Sequence, residues 1–174
     1  LTKEGNSIFE KRREFLLKFL PIVKQLYNDI SQKYENITLL YESEMHHISI
    51  DELLKHNRQK DLMLQRTSGG IHRDDLLLQL GEQSFKAIAS QGQRKSLLFA
   101  LKLAEKKIIE EEKHLSPLLL LDDVFEKLDE ERISNLLMKV CLEEETQIFI
   151  TDTSCNRLRD GLEKLGQPMQ LIEL

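Results

Sequence analysis

The sequence contains few of the residues that define disulfide-rich, zinc-binding or membrane-spanning proteins. Among 174 residues there are two cysteines, Cys141 and Cys155, and no tryptophan. Two widely spaced cysteines argue against a disulfide scaffold and favour a reducing compartment, so we expect a cytoplasmic protein. The five histidines show no zinc-ligand spacing with either cysteine, which argues against a structural metal. No apolar run approaches the roughly 20 residues of a membrane span, so we expect no membrane partner.

The composition predicts a folded domain rather than a disordered segment. Apolar residues make up 40% of the chain and charged residues 32%, and the length suits one domain or one domain with a small accessory lobe. The start, Leu1 to Gly5, is polar and lacks the apolar stretch of a signal peptide. Because the chain begins without Met, we expect a piece of a longer protein.

Helical spacing of apolar residues dominates the first part of the chain. It predicts a helix over residues 6–34, with a kink or two abutting helices at Pro21. A strand is predicted at Ile37–Ser43. The capping-box pair Ser49 and Glu52 predicts a helix to about Leu64, with Leu53, Leu54 and Met63 partly buried. Gly81 then separates the two strands of a predicted hairpin, Asp75–Leu80 and Ser84–Ile88.

The second part predicts alternating strands and helices. A long helix from near Gln93 to Lys113 carries apolar residues at helical spacing, which are Leu97, Leu98, Leu101, Ala104 and Ile108. The segments that follow are predicted as a buried strand at 118–122, a helix at 130–142, a strand at 147–151, a helix at 157–165 and a strand at 169–174. This alternation predicts a parallel sheet with right-handed crossovers.

Three short segments carry the chemistry. Ala89 to Arg94 contains a glycine turn that opens a helix, and the unpaired N–H groups and positive dipole of a helix start suit a phosphate. Asp122 and Asp123 end the apolar run 118–121, where a buried parallel strand delivers side chains to the carboxyl edge of its sheet. The third segment is Leu128-Asp129, in which Asp129 comes seven residues after Asp122. The order and spacing of the three segments are together more specific than any one segment alone.

His72-Arg73-Asp74 invites comparison with a kinase catalytic loop, but this interpretation fails. The kinase pattern requires an asparagine five residues after its aspartate, where this chain has Gln79, and no Gly-rich loop precedes the segment. Two readings stay open. The residues either form a hydrogen-bonded loop that holds the sheet, or they act near a nucleotide.

These segments, together with Gly70–Leu76 and Leu101–Glu105, resemble the RecF family of ABC-type ATPases over roughly residues 60–155. The resemblance implies an α/β fold, which is the C-terminal half of a P-loop ABC-ATPase-type head (a parallel sheet with flanking helices) plus an N-terminal helical lobe. Residues 1–64 would be mostly the helical lobe, and residues 65–174 the returning half of the ATPase domain.

The resemblance also implies site residues, with ATP and Mg²⁺ as cofactors. Asp122 would hold Mg²⁺, and Asp123 would position the attacking water in catalysis. Asp123 is one methylene shorter than the glutamate that ABC ATPases usually carry there. The signature loop Ser90, Gln91, Gly92 and Gln93 would contact the γ-phosphate bound by a second subunit, in an ATP-dependent homodimer. Asp129 would lie in a loop at the same dimer interface.

Three departures from the ABC pattern qualify these roles. Ala89 and Gln91 replace the usual leucine and first glycine of the signature. Asp152 stands where many ABC ATPases have a histidine that senses the γ-phosphate, and an ionised aspartate cannot donate a hydrogen bond. No G-x-x-x-x-G-K-[ST] motif occurs, so we expect that this piece does not hydrolyse ATP alone.

For the whole protein, the resemblance implies an ATP-dependent DNA clamp of recombinational repair, replication restart and the SOS response. It would bind junctions of single-stranded and duplex DNA and would aid recombinase loading with RecO- and RecR-type partners. Residues 1–100 carry 15 Lys and Arg against 13 Asp and Glu, whereas residues 101–174 carry 10 against 17. A DNA-facing surface therefore belongs in the first part, where Lys11-Arg12-Arg13 is one candidate, or outside this chain.

Three alternatives stay open at this stage. An ABC transporter motor shares the signature and the acidic strand, but it normally has glutamate at position 123 and histidine at position 152. An SMC-like head joins its halves by very long heptad coiled coils, whereas residues 6–34 give at most four heptads with a proline inside, so this alternative ranks lower. The last alternative is a non-hydrolysing interaction module that keeps the fold without the chemistry.

Overall fold

The computed structural model describes residues 2–33, 35–124, 126–142, 146–153, 155–166 and 168–172. Most of these residues are helical. The helices are α1 Thr2–Ser31, α2 Ile50–Leu64, α3 Phe85–Ile88, α4 Gln91–Lys113, α5 Glu130–Leu142 and α6 Cys155–Glu163. The strands are β1 Ile37–Glu42, β2 Asp75–Leu80, β3 Gln83–Ser84, β4 Leu119–Leu121 and β5 Ile148–Ile150, and short 3₁₀ turns occupy Glu44–His46 and Ile71–Arg73.

The chain forms two compact units. The first unit comprises Leu1–Pro21 and Ile37–Ala87, and the second comprises Ile22–Asn36 and Ile88–Leu174. These units differ from the predicted division of the chain into a helical lobe (1–64) and half of an ATPase domain (65–174). That division stays a prediction. Helix α1 continues through Pro21 as one helix, so the alternative of two abutting helices is wrong. Loss of one backbone hydrogen bond is tolerated here, because Val23, Tyr27 and Ile30 anchor the following turns in the core of the second unit.

The first unit contains an antiparallel sheet in the order β1-β2-β3. Ile37 pairs with Leu80 at one end of the β1–β2 ladder, and Glu42 pairs with Asp75 at the other. The predicted hairpin is present and turns at Gly81, whose φ of +61° favours glycine. Its second strand is shorter than predicted, because the chain turns into α3 at Phe85 and buries that ring.

Helix α2 begins and ends where predicted, but one of its side chains that was predicted to be buried is exposed. Ser49 and Glu52 form both hydrogen bonds of the capping box, and Gln65 ends the helix in the left-handed conformation. Leu53 is buried as predicted. Met63 is 84% exposed, so its predicted burial is wrong. The helix buries the face that carries Ile50 and Leu53, and Met63 lies on its solvent side.

The second unit contains the predicted parallel pair. In the β4–β5 ladder Leu119 pairs with Ile148, and Leu121 pairs with Ile150. Its core includes Leu97, Ala100, Leu103 and Ala104 of α4, Leu119 and Leu121 of β4, and Leu136, Leu137 and Val140 of α5.

Two predictions about the second unit are wrong in detail. Leu120 and Phe149 pair in the middle of the β4–β5 ladder and are 73% and 47% exposed, so the sheet buries one face rather than two. Residues 168–172 form no strand, and positions 173–174 of that prediction lie outside the described residues. Within the described residues, no helix is long and apolar enough to cross a membrane.

Candidate functional site

The signature segment opens α4 through a second capping box. Ser90 is the N-cap, and its Oγ accepts the N–H of Gln93 at 3.2 Å while Gln93 Oε1 accepts the N–H of Ser90 at 2.8 Å. The helix therefore begins at Gln91, slightly earlier than predicted. Ser90 is exposed, and because its oxygen accepts the capping bond, its hydroxyl proton is available to an acceptor outside the helix.

Gly92 brings the start of α4 against the loop that follows β4. A Cβ built on Gly92 would lie 3.1 Å from the carbonyl oxygen of Lys127, which is tighter than an ordinary contact. Only a residue without a side chain fits comfortably against that backbone. The signature segment and the acidic loop therefore meet within the second unit, and Gly92 is half-buried at their contact.

The two carboxylates after β4 have different surroundings. Asp122 is exposed, and its Oδ1 accepts the hydroxyl proton of Thr151, which follows β5. The same Thr151 oxygen accepts the N–H of Asp123 at 3.3 Å. Thr151 therefore links both aspartates to the neighbouring strand, at the carboxyl edge where the sequence placed them.

Lys95 is a site residue that the sequence reasoning missed. Its Nζ donates a hydrogen bond to the backbone carbonyl of Asp123, which adopts the left-handed conformation with φ of +53°. The ammonium also lies 5.9 Å from the centroid of the Phe99 ring. The local signal for it is weak, since it is one of several cations along α4.

Asp123 and Glu126 interact as a pair of carboxyl groups. The hydrogen bond with Glu126 raises the pKa of Asp123, and partial desolvation and the charges of Glu126 and Asp152 act in the same direction. The Lys95 ammonium opposes this rise. The same hydrogen bond, with help from Lys127, lowers the pKa of Glu126. The pairing therefore shifts the two pKa values in opposite directions, and the pKa of Asp123 is the one that is raised.

Asp129 is fixed at the start of α5 by its own helix. Its Oδ1 accepts the N–H of Arg132 at 2.8 Å, and its Oδ2 lies 3.4 Å from Arg132 Nε. Arg132 is buried and reaches two further partners, Ser96 Oγ at 2.9 Å and Glu35 Oε1 at 2.5 Å. Tyr27 donates to the other oxygen of Glu35, and burial followed by this bond raises the pKa of Tyr27.

This network connects helix α4, the loop containing Asp129 and the end of α1 through one guanidinium group. Sequence reasoning missed Arg132 as well, because its partners lie 36 and 97 residues away along the chain. The structure thus joins the predicted signature, acidic and dimer-interface segments within the second unit. Gln93 serves the helix cap, and the side chain of Gln91 is exposed.

A metal centre and the segment around His72 are two further candidate features. In the part of the chain that the structure describes, no three His, Cys, Asp or Glu side chains gather into a metal site. In the first unit, His72 Nε2 lies 3.1 Å from the Thr67 carbonyl oxygen, while Asp74 pairs with Arg12 at 3.1 Å. These contacts favour the reading in which this segment holds a loop in place.

Curated relatives match the whole chain. A DNA replication and repair protein RecF from Flavobacterium johnsoniae is 39% identical over all 174 residues, which cover 48% of that relative. The RecF of Bacteroides thetaiotaomicron is 37% identical over the same residues, which cover 47% of it. The chain spans about half the length of the curated relatives it matches. No protein-family model matches the sequence.

Solved structures agree in fold. A structure described as the recombination mediator protein RecF with ATP in the RecFOR pathway matches 90% of this chain and 43% of its own, with a TM-score of 0.70 and 28% identity. A second, with ATPrS, matches at a TM-score of 0.71 and 26% identity, over 90% of this chain and 44% of its own. The fold and the joined segments define this chain as part of an ABC-type ATPase head. Over its whole length the chain is similar to the C-terminal part of RecF proteins.

Proposed function

We propose that this chain supplies the signature half of a composite ATP site, formed when two copies of the longer protein associate. The observation that carries the proposal is the exposed N-cap Ser90, held by Gly92 against the acidic loop. The Ser90 hydroxyl and the N–H of Gly92 would donate to the γ-phosphate of a nucleotide bound by the other copy. The positive end of α4 favours that phosphate, because the first N–H groups of a helix have no partner in the helix.

The acidic residues fit a magnesium site in which the protein supplies only one or two ligands. Mg²⁺ usually keeps several waters and binds one or two carboxylates together with phosphate oxygens. Asp122 is exposed, and among the described residues its Oδ2 accepts no hydrogen bond, so one carboxylate oxygen is open to the ion or to its water. Thr151 would orient this carboxylate. The bound ion would neutralise charge that develops on the phosphate oxygens.

Asp123 is the proposed catalytic residue. In its ionised form it would accept a hydrogen bond from the attacking water and orient that water toward the γ-phosphate. Lys95 fixes the backbone of Asp123 and adds positive charge beside its carboxylate. Asp129 would contribute to the interface between the two copies, where Arg132 holds it in place.

For the whole protein, we infer ATP-dependent DNA binding in recombinational repair. The relatives are DNA replication and repair proteins and the structural neighbours belong to the RecFOR pathway, which supports this level of function and RecO- and RecR-type partners. Binding to junctions of single-stranded and duplex DNA, aid to recombinase loading and a part in the SOS response are the finer elements of the proposal. Both the sequence and the structural matches favour this function over a transporter motor.

The proposal is tested by ATP hydrolysis and DNA binding of the full-length protein. We expect gapped DNA to stimulate hydrolysis and ATP to strengthen binding to that DNA, because the two composite sites close only with nucleotide present. Lipid vesicles should leave hydrolysis unchanged. Stimulation by vesicles but not by DNA would support the transporter alternative, and DNA binding that ignores ATP would contradict the proposal.

A pH profile tests the pairing of Asp123 with Glu126. Since the pKa of Asp123 is raised, its ionised form appears only at higher pH than for an ordinary aspartate, and hydrolysis should fall as the pH drops through that pKa. Glu126→Gln removes the negative acceptor that retains the proton. The pKa of Asp123 then falls, and the acidic limb of kcat should move to lower pH.

The matched control is Glu111→Gln, which neutralises an exposed glutamate on α4, away from the loop that contains Glu126. It should leave the acidic limb in place. An acidic limb that stays unchanged in Glu126→Gln would show that Asp123 does not govern it.

A further inference from the structure

One stretch of the first unit is strongly basic within an acidic protein. Residues 54–73 contain five Lys and Arg, and Asp61 is their sole acidic residue, in a chain whose net charge is −5. A local excess of positive charge of this kind is the electrostatic signature of a surface that binds a polyanion.

Most of these cations have no partner among the residues that the structure describes. Lys55 pairs with Asp51 at 2.5 Å, and Asp61 accepts two hydrogen bonds from Ser68, at 2.8 and 2.6 Å. Among the described residues, the side chains of Arg58, Lys60, Arg66 and Arg73 make no ion pair or hydrogen bond. Their charges are therefore available to a ligand.

The alternative basic run on α1 differs in this respect. Arg12 pairs with Asp74 at 3.1 Å, and Arg13 pairs with Glu10 at 2.8 Å. Two of the three cations in Lys11-Arg12-Arg13 are thus already neutralised. This contrast favours the α2 side of the first unit over the α1 run as a surface for phosphates.

The free arginines line two adjoining depressions. A cavity of about 640 Å³ is lined by Arg66, His72 and Arg73, and Glu4 is the one acidic residue in its lining. A second depression of about 570 Å³ is bordered by Arg58 and Arg66. Because Leu54, Arg66 and Thr67 line both depressions, the two adjoin, and together they form a concave track lined by the three arginines.

Leu62 lines the second depression, and Met63 is the next residue of α2. Leu62 and Met63, near the end of α2, are 72% and 84% exposed. Leucine and methionine are among the side chains that DNA-binding proteins place against base steps, next to arginines that hold the backbone. A surface of free arginines with exposed Leu and Met therefore fits a nucleic acid better than a small anion.

We propose that Arg58, Arg66 and Arg73 form a binding surface for the sugar–phosphate backbone of DNA, with Leu62 and Met63 at its edge. This inference rests on the proposed DNA-binding function of the longer protein. Each arginine contacts phosphate oxygens, which supplies affinity without reading sequence. Binding through this surface is consequently salt-dependent and tolerant of sequence.

The test uses the full-length protein with ATP and gapped DNA, and compares wild type with the triple variant Arg58→Ala, Arg66→Ala, Arg73→Ala. We expect roughly tenfold or greater loss of affinity, and a slope of log K against log salt concentration that is shallower by about 2 to 3. A triple Arg→Lys variant should retain most of the slope, because the charges remain.

A charge-matched control separates local contact from net charge. Lys24→Ala, Lys107→Ala, Lys164→Ala removes three exposed cations from the second unit and should leave the slope close to that of wild type. Dimerisation with ATP should be unchanged in both triple variants, which confirms that they fold.

The outcomes distinguish this inference from the function on which it rests. Wild type that fails to bind DNA at all refutes the proposed function. If wild type binds DNA and the triple Arg→Ala variant binds equally well with the same salt slope, only the proposed arginine surface is refuted. If the triple Arg→Ala variant loses binding to phosphatidylserine vesicles but keeps its DNA binding, the surface belongs to a membrane instead. That result would also overturn the inference.

Discussion

Arg132→Leu is expected to destabilise the second unit by about 3–5 kcal/mol. The side chain of Arg132 is buried and bonds to Ser96, Glu35 and Asp129, so the substitution leaves the carboxylate of Glu35 without its charged partner. Burial of an unpaired charge costs more than the lost bonds alone. Hydrogen exchange in the intact protein measures this loss of stability. We expect the amides of α4 and α5 to exchange faster, which corresponds to a lower free energy of opening.

The same region offers an exposed ion pair as a control. Lys33 and Glu131 lie 3.3 Å apart, with 59% and 53% of their side chains exposed. Lys33→Ala should therefore cost about 1 kcal/mol or less. The double variant Arg132→Leu, Glu35→Leu should recover part of the loss, since no charge is left unpaired. Similar small effects in all three variants would contradict the proposed role of the buried network.

Ser90→Arg in the full-length protein is expected to abolish association driven by ATP at concentrations where wild type dimerises. The substitution removes the hydroxyl and the helix cap, and it places a long cation where the phosphate would approach. A hydrogen bond to a charged group contributes about 1.5–3 kcal/mol. A dimer has two such sites, so the loss corresponds to dimerisation that is weaker by roughly a hundredfold or more.

Two further variants separate the causes. Ser90→Thr keeps a hydroxyl and a cap, and it should retain most of the association. Ser134→Arg introduces the same cation at an exposed position of α5 and should leave association unchanged. ATP-driven dimerisation that survives in Ser90→Arg would mean that this segment is not the signature loop.

Features encoded by neighbouring residues were the ones that the sequence predicted well. The capping box at Ser49 involves residues three apart, and it fixed the start of α2 correctly. The parallel pairing of β4 with β5 followed from the alternation of apolar strands and helices. Asp122 and Asp123 follow β4, as expected for residues that end an apolar run.

Features that depend on distant residues could not be predicted. The contact of Lys95 with Asp123 joins residues 28 apart in the chain, and the contact of Arg132 with Glu35 joins residues 97 apart. No spacing pattern in the sequence indicates either contact. The error at Met63 has a related cause. Helical periodicity defines an apolar face only to within about one residue, and the packing of the first unit decides which side chain lies at its edge.

A mixing experiment tests the central claim most directly. One full-length variant carries Ser90→Arg, and the other carries a substitution of the lysine in the phosphate-binding loop expected in the longer protein. Each should be inactive alone. If the signature segment acts on the nucleotide of the other copy, a mixed dimer keeps one intact composite site, and ATP hydrolysis returns on mixing. If Ser90 serves the nucleotide of its own copy, both sites of the mixed dimer are defective, and the absence of any recovery would contradict the account.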